Sequence, residues 1–188
     1  MPPNFEQRQR AYLRRAQRIL IAIVASLSAV LGGGLLLPMS WQVERQIVIA
    51  APPPAVFTSV NSLKRWREWS AWDEREPALA YEYSGPEAGP GATRRWNNEG
   101  RRGVMKIMDN VRDRKVEYEV LLDGGASAFS GAIRTLPEDS GTRVVWRASF
   151  RTGGHPIERY LALAARFQLG RDLDVSLARL KARLEGKK

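Results

Sequence analysis

Two contrasting patterns open the chain. Ile19 to Leu37 reads ILIAIVASLSAVLGGGLLL, 19 residues without a charge. At about 1.5 Å per residue, a helix over that run spans the ~30 Å hydrocarbon core of a bilayer. Gly32, Gly33 and Gly34 would weaken such a helix in water, but in lipid unmet backbone groups cost more, so the helix persists. From Gln42 the period drops to two: Val43, Arg45, Ile47 and Ile49 alternate with Gln42, Glu44, Gln46 and Val48, as a first strand does. The alternation stops at Ala50-Ala51-Pro52-Pro53-Pro54, where prolines can open a helix but not continue a sheet. Val56, Phe57 and Val60 suit a short helix. Leu63, Trp66 and Trp69 continue on a second, with Trp72 just beyond.

Strand-like stretches separated by turn chemistry follow: Leu79–Ser84, Ala92–Asn97, Gly103–Val111, Lys115–Leu122, Ala128–Leu136 and Thr142–Arg151. Gly85 to Gly91, Asn98-Glu99-Gly100, Asp113-Arg114, Asp123-Gly124-Gly125 and Pro137 to Gly141 supply the turns, short enough for an antiparallel meander. After Gly153-Gly154-His155-Pro156 a long helix runs from Ile157 to Leu184, with Tyr160, Ala164, Phe167, Leu173, Leu177, Leu180 and Leu184 as an apolar stripe. The order β-α-α-β₆-α predicts an α+β fold: a curved antiparallel sheet of about seven strands, two short helices and a long C-terminal helix across the concave face, preceded by one transmembrane helix. Alternation turns Val144, Trp146, Ala148 and Phe150 inward, with Val116, Tyr118, Val120 and Leu122. Met105 and Ile107 share that interior with Trp96.

Charge refines the picture at the N-terminus. The chain of 188 residues carries a net charge of +10, with 30 basic and 20 acidic residues. Arg8, Arg10, Arg14, Arg15 and Arg18 precede the apolar run and Glu6 is their acidic neighbour, whereas Glu44 and Arg45 cancel beyond it. The positive-inside rule places residues 1–18, a basic tail, in the cytoplasm and the domain at 42–188 outside, with 19–39 spanning; a cell inner membrane with a periplasmic domain fits best. A cleaved leader would carry a shorter apolar core ending in small residues; this run ends Leu-Leu-Leu-Pro-Met-Ser-Trp, and Trp41 suits the membrane interface. Translocation also removes the domain from nucleic acid, despite its basic balance. Ala25, Ala29 and Gly33 are spaced by four, a small-residue stripe through which two copies could pair as a homodimer.

The chain resembles the START-like, helix-grip proteins of the polyketide cyclase/dehydrase (SRPBCC) superfamily over about residues 43–185. The resemblance rests on Ile47-x-Ile49-x-Ala51-Pro52-x-x-x-Val56-Phe57, Trp66-x-x-Trp69-Ser70-x-Trp72, and Tyr83-Ser84-Gly85-Pro86 with Gly89-x-Gly91-Ala92 before Trp96. Gly103-x-Met105-x-Ile107, Gly141-Thr142-x-Val144-x-Trp146 and Leu177-x-x-Leu180-Lys181 complete it. Ala71 departs from many relatives, which carry Pro between the second and third Trp. The resemblance implies a cavity between sheet and C-terminal helix, used by relatives for lipids, sterols, polyketides or other hydrophobic small molecules.

Candidate chemistry is sparse. With no Cys and one His, thiol nucleophiles and Cys/His zinc sites lack their ligands, and neither a metal nor another cofactor is expected. His155 reads as a solvated loop residue. Gly85, Gly89 and Gly91 read as a hairpin loop, because Pro86 and Pro90 lack the N–H groups a phosphate cradle needs. Asp73, Glu74, Glu76, Glu117, Glu119 and Asp123 supply no pair placed on a common inward face, so no catalytic residue is assigned. Arg143, Arg147 and Arg151 face outward as a solvated row or an attraction for anionic headgroups. Trp96, Met105, Tyr118, Phe129, Trp146, Tyr160 and Phe167 either fill the interior or line a cavity. Trp66, Trp69 and Trp72 either pack on the sheet edge or form a lid. The leading expectation is a membrane-anchored protein binding a hydrophobic small molecule or lipid without defined catalysis. A cyclase or dehydratase acting on a polyketide-like substrate and a non-enzymatic envelope interaction module are the alternatives.

Overall fold

A computed structural model describes residues 5–76, 79–98, 101–125 and 127–186. Residues 1–4 of the expected tail and Glu99-Gly100 of the expected turn lie outside them, as do Lys187 and Lys188. The chain divides into two compact units: Met1–Met39 with Gly153–Leu161, and Ser40–Thr152 with Ala162–Lys188.

The larger unit is built on one seven-stranded antiparallel sheet. Its strands are β1 (Ser40–Ile49), β2 (Glu82–Ser84), β3 (Thr93–Asn98), β4 (Arg101–Val111), β5 (Lys115–Leu122), β6 (Ser127–Glu138) and β7 (Gly141–Arg151), in the order β1-β7-β6-β5-β4-β3-β2. Every neighbour from β2 to β7 is a sequence neighbour, as the short turns require. β1 closes the other edge by pairing with β7, Val43 opposite Ala148 and Ile47 opposite Val144. Register breaks between Ile107 and Asp109 on β4, leaving Met108 as the extra residue of a bulge, which bends the strand and deepens the curl. The strand expected over Leu79–Ser84 shrinks to Glu82–Ser84, because this edge pairs with β3 only from Glu82 to Ser84.

Before β1 runs α1 (Phe5–Leu36), and between β1 and β2 lie α2 (Pro53–Val60) and α3 (Ala71–Arg75), with a single 3₁₀ turn at Arg65–Glu68 between them. Pro53 and Pro54 occupy the first turn of α2, where a missing N–H costs nothing. Ser70 caps α3 by accepting from Trp72 N–H. The expected second helix carrying both Trp66 and Trp69 is thus replaced by that 3₁₀ turn and its terminus. The apolar α1 itself runs Phe5–Leu36 in the smaller unit.

α4 (Pro156–Leu184) is one continuous helix. Its later turns bury Leu169, Leu173, Leu177 and Leu180 in the larger unit, opposite Ile49, Val144 and Trp146 of the inward sheet face, which are equally buried. Polar ties fix its position there. Lys181 Nζ donates to the Val48 carbonyl at 2.6 Å, the Ala50 amide to Glu185 at 2.9 Å, and the Ala71 amide to Ser176 Oγ at 2.9 Å. The core is therefore a sandwich of concave sheet and helix, as the alternating strands anticipated.

Candidate functional site

Large rings need room on a sheet face, and this sheet supplies it with glycine. Tyr118 on β5 stands directly opposite Gly131 on β6, and Trp96 on β3 opposite Gly103 on β4. Each ring lies across its glycine so closely that a Cβ there would collide with it. Both rings are thereby laid flat along the sheet instead of rising from it. Above them remains a cavity of about 390 Å³ within the larger unit. Trp96, Met105, Tyr118, Val120, Leu122, Phe129 and Ala148 form its sheet wall, Ala165, Gln168, Leu169 and Asp172 its α4 wall, and Trp72, Arg75, Leu79, Tyr81 and Arg94 one end.

Of the seven residues expected inside, the structure brings Trp96, Met105, Tyr118 and Phe129 to this cavity. Trp146 is wholly buried beneath it, its indole N–H donating to the Tyr118 hydroxyl at 2.8 Å. Tyr160 and Phe167 do not face it: Phe167 is 65% exposed. At 100° per residue, Phe167 lies about 200° round α4 from the cavity residue Leu169, on the opposite side. Trp66 and Trp69 are fully buried and pack edge-on to Trp146, each with ring centroids 5.5 Å from it. They are floor rather than lid. Trp72 alone of the three lines the cavity.

Polar groups at the wall were largely missed by sequence reading. Arg94 is 3% exposed, with Nη1 on both carboxylate oxygens of Asp73 at 3.2 and 3.1 Å. Its guanidinium lies 4.7 Å from the ring centre of Tyr81 and 5.9 Å from that of Trp66, stacked geometry that favours a buried arginine. Its Nε is buried without a partner among the described residues. Asp172 gathers Trp72 Nε1 at 3.0 Å, Arg75 Nη1 and Nη2 at 2.8 and 2.7 Å, and Gln168 Nε2 at 2.8 Å. Four N–H groups on two oxygens make it an anchor joining α3 to α4 rather than an idle acid. Burial pushes the Tyr118 hydroxyl up from the ordinary tyrosine range, against the Trp146 hydrogen bond and the Arg94 charge. Tyr81 is raised too, by burial first, with Arg94 opposing and its hydrogen bond to Asp73 adding to the rise. Among the described residues no cluster of three His, Cys, Asp or Glu could hold a metal ion.

The comparisons with known proteins agree with this fold. A family model described as polyketide cyclase/dehydrase and lipid transport matches residues 40–185. The chain belongs to this family. Solved structures carry the same fold: an uncharacterised protein from Rhizobium leguminosarum is 22% identical, with a TM-score of 0.57 over 78% of this chain and 95% of its own. The dimeric Aha1 of Colwellia psychrerythraea is 17% identical, with a TM-score of 0.52 over 79% and 98%. DynU16, encoded in the dynemicin biosynthetic locus, is 17% identical, with a TM-score of 0.55 over 78% of this chain and 48% of its own. No curated protein matches the sequence significantly. Matching begins at residue 40, so the polyketide cyclase/dehydrase family accounts for the sheet and α4 and leaves α1 outside it.

Proposed function

We propose that this protein is held in a membrane by α1 and takes an apolar small molecule or lipid into the cavity between sheet and α4. The observation that carries the reading is the cavity itself, about 390 Å³ under an aromatic sheet face, of the size and apolar character of small-molecule sites. Binding there is driven by removing apolar surface from water. Charged side chains also line the cavity, Glu76, Arg102 and Asp123 among them. The Tyr118 hydroxyl accepts from Trp146 and keeps one proton to donate; Arg94 Nε is unpartnered. The Tyr118 proton suits a single acceptor group on an otherwise greasy molecule, whereas Arg94 Nε is closed off from the cavity.

The character of α1 supports the anchor. Within Tyr12–Leu36 its most apolar 18-residue window has a mean hydropathy of 2.4, and Ile19, Ile23, Leu27 and Leu31 are exposed. In water that surface would exceed any apolar patch a soluble monomer tolerates. A cleaved leader satisfies the same length and hydropathy, but two features favour retention. The run ends without a small-residue cleavage site, and Gly33 and Gly34 lie against Tyr160 and Pro156, contacts that cleavage would destroy. Arginines on the N-terminal flank favour a cytoplasmic N-terminus and a periplasmic domain at an inner membrane.

The test is to purify the full chain in mild detergent and identify by mass spectrometry what accompanies it. A bound apolar molecule in near-stoichiometric amount is expected. An empty protein that takes up neither lipid nor a fluorescent apolar probe overturns the reading.

A further inference from the structure

α4 carries two apolar faces on opposite sides. Leu169, Leu173 and Leu180 point one way and are buried; Ile157, Tyr160 and Leu161 point roughly the other way and are exposed, Ile157 by 53% and Leu161 by 65%. These first turns belong to the same compact unit as α1, and three sets of contacts join them to it. The Tyr160 hydroxyl donates to the Val30 carbonyl at 3.0 Å. Arg159 Nη1 donates to the carbonyls of Leu35 at 2.6 Å and Leu37 at 3.0 Å. A Cβ at Gly34 would stand 2.7 Å from Pro156 Cβ and 2.9 Å from the Pro156 carbonyl oxygen, and one at Gly33 2.7 Å from the Tyr160 hydroxyl, so a side chain at position 34 would force the two segments apart.

The depth of these contacts identifies the partner. Val30 precedes Leu37, the end of the apolar run, by about 10 Å of helix. A phenol that bonds the carbonyl of Val30 therefore sits below the lipid headgroups if α1 spans. Arg159 meets the carbonyls at the end of α1, which have no helical partner and lose water at a membrane boundary. We propose that the first turns of α4, Pro156 to Leu161, are a second membrane-embedded element. Ile157 and Leu161 contact acyl chains in the leaflet on the domain's side. The occupant of this face is the bilayer itself, and the inference rests on the reading of α1 as a retained anchor. Interfacial helices seat their apolar faces about 5–10 Å into the boundary, the depth the Tyr160–Val30 bond implies.

Because the chain has no Cys, single nitroxide labels can be placed without removing native thiols. The full chain, carrying Ile157→Cys, Leu161→Cys, Val24→Cys or Ser140→Cys, is reconstituted into phosphatidylethanolamine–phosphatidylglycerol vesicles. Collision rates with oxygen and with a water-soluble nickel chelate are then read. Positions 157 and 161 are expected to match Val24, with an oxygen-to-nickel ratio severalfold above that of Ser140 in the β6–β7 turn. Lipid-like values at 24 with aqueous values at 157 and 161 overturn the proposal and leave the anchor standing. Aqueous values at 24 overturn the anchor and this proposal together.

Discussion

Arg94 sits among rings, and what holds it there is Asp73, itself buried. Removing one partner of a buried pair leaves a charge without compensation, whereas removing both exchanges it for apolar packing. Asp73→Asn is therefore expected to destabilise the protein by about 3–5 kcal/mol, and the double variant Asp73→Leu/Arg94→Met to recover most of that loss. Denaturant unfolding in detergent checks both; an Asp73→Asn protein as stable as the parent would refute the argument. The placement of Arg94 was half legible, since it precedes Trp96 by two residues and alternation puts both on one face. An arginine in a strand reads as outward, however, and its partner on α3 is 21 residues distant, a pairing no periodicity encodes. Asp172 has the same history, lying on α4 between Leu169 and Leu173 on the buried side. The glycine–ring pairs depend on register, which only the strand pairing reveals. Gly131→Ala is expected to push the Tyr118 ring into the cavity and cost about 1–3 kcal/mol by overpacking, read as lower stability together with weaker retention of an apolar probe.

Elements were more legible than sites because turns punctuate them. β5 follows the expected boundaries of Lys115–Leu122, and β6 and β7 differ from expectation only at their ends. The stripe on α4 misled, since Tyr160, Ala164 and Phe167 lie across the helix from Leu173 and Leu180. One apolar helix with two faces looks in one dimension like a broad single face. The glycines of α1 look equivalent in the sequence and are not. Gly32 has nothing within 4 Å of an added Cβ, while Gly33 and Gly34 meet Tyr160 and Pro156. Gly32→Ala is accordingly expected to be neutral or stabilising by about 0.5–1 kcal/mol through helix propensity. Gly34→Leu should destabilise by about 1–3 kcal/mol and expose the Gly153-Gly154 segment to protease. Equal effects from the two would deny the packing role. On the α4 wall, Ala165 is solvent-accessible and lines the cavity, so Ala165→Trp is expected to exclude ligand at a stability cost within about 1 kcal/mol. Retention of the co-purifying molecule by that variant would mean that it binds elsewhere.

At the scale of the whole molecule, the tyrosines of the cavity make stability depend on alkaline pH in a fixed direction. Burial raises Tyr118 and Tyr81 above the ordinary value of 10.0, so the folded protein holds these protons more tightly than the unfolded chain. Their contribution is fully present below the ordinary tyrosine value. As pH climbs past it the unfolded chain releases the protons first, and stability falls. For the wholly buried Tyr118 the slope is about 1.4 kcal/mol per pH unit; Tyr81, half solvated, contributes a screened fraction. Lys115 is raised as well, by its hydrogen bonds to Glu117 and Asp109, but it is partly solvated and its share is small. Denaturant unfolding followed from neutral to strongly alkaline pH should therefore show a plateau and then a decline beginning near 10. Tyrosinate absorbance of the buried rings should rise only with unfolding. Tyr118→Phe leaves Trp146 without its acceptor and lowers stability on the plateau, yet its alkaline decline should be shallower than the parent's. A variant declining as steeply as the parent would place the alkaline sensitivity away from Tyr118, and its buried hydroxyl would then not be the proton that the fold protects.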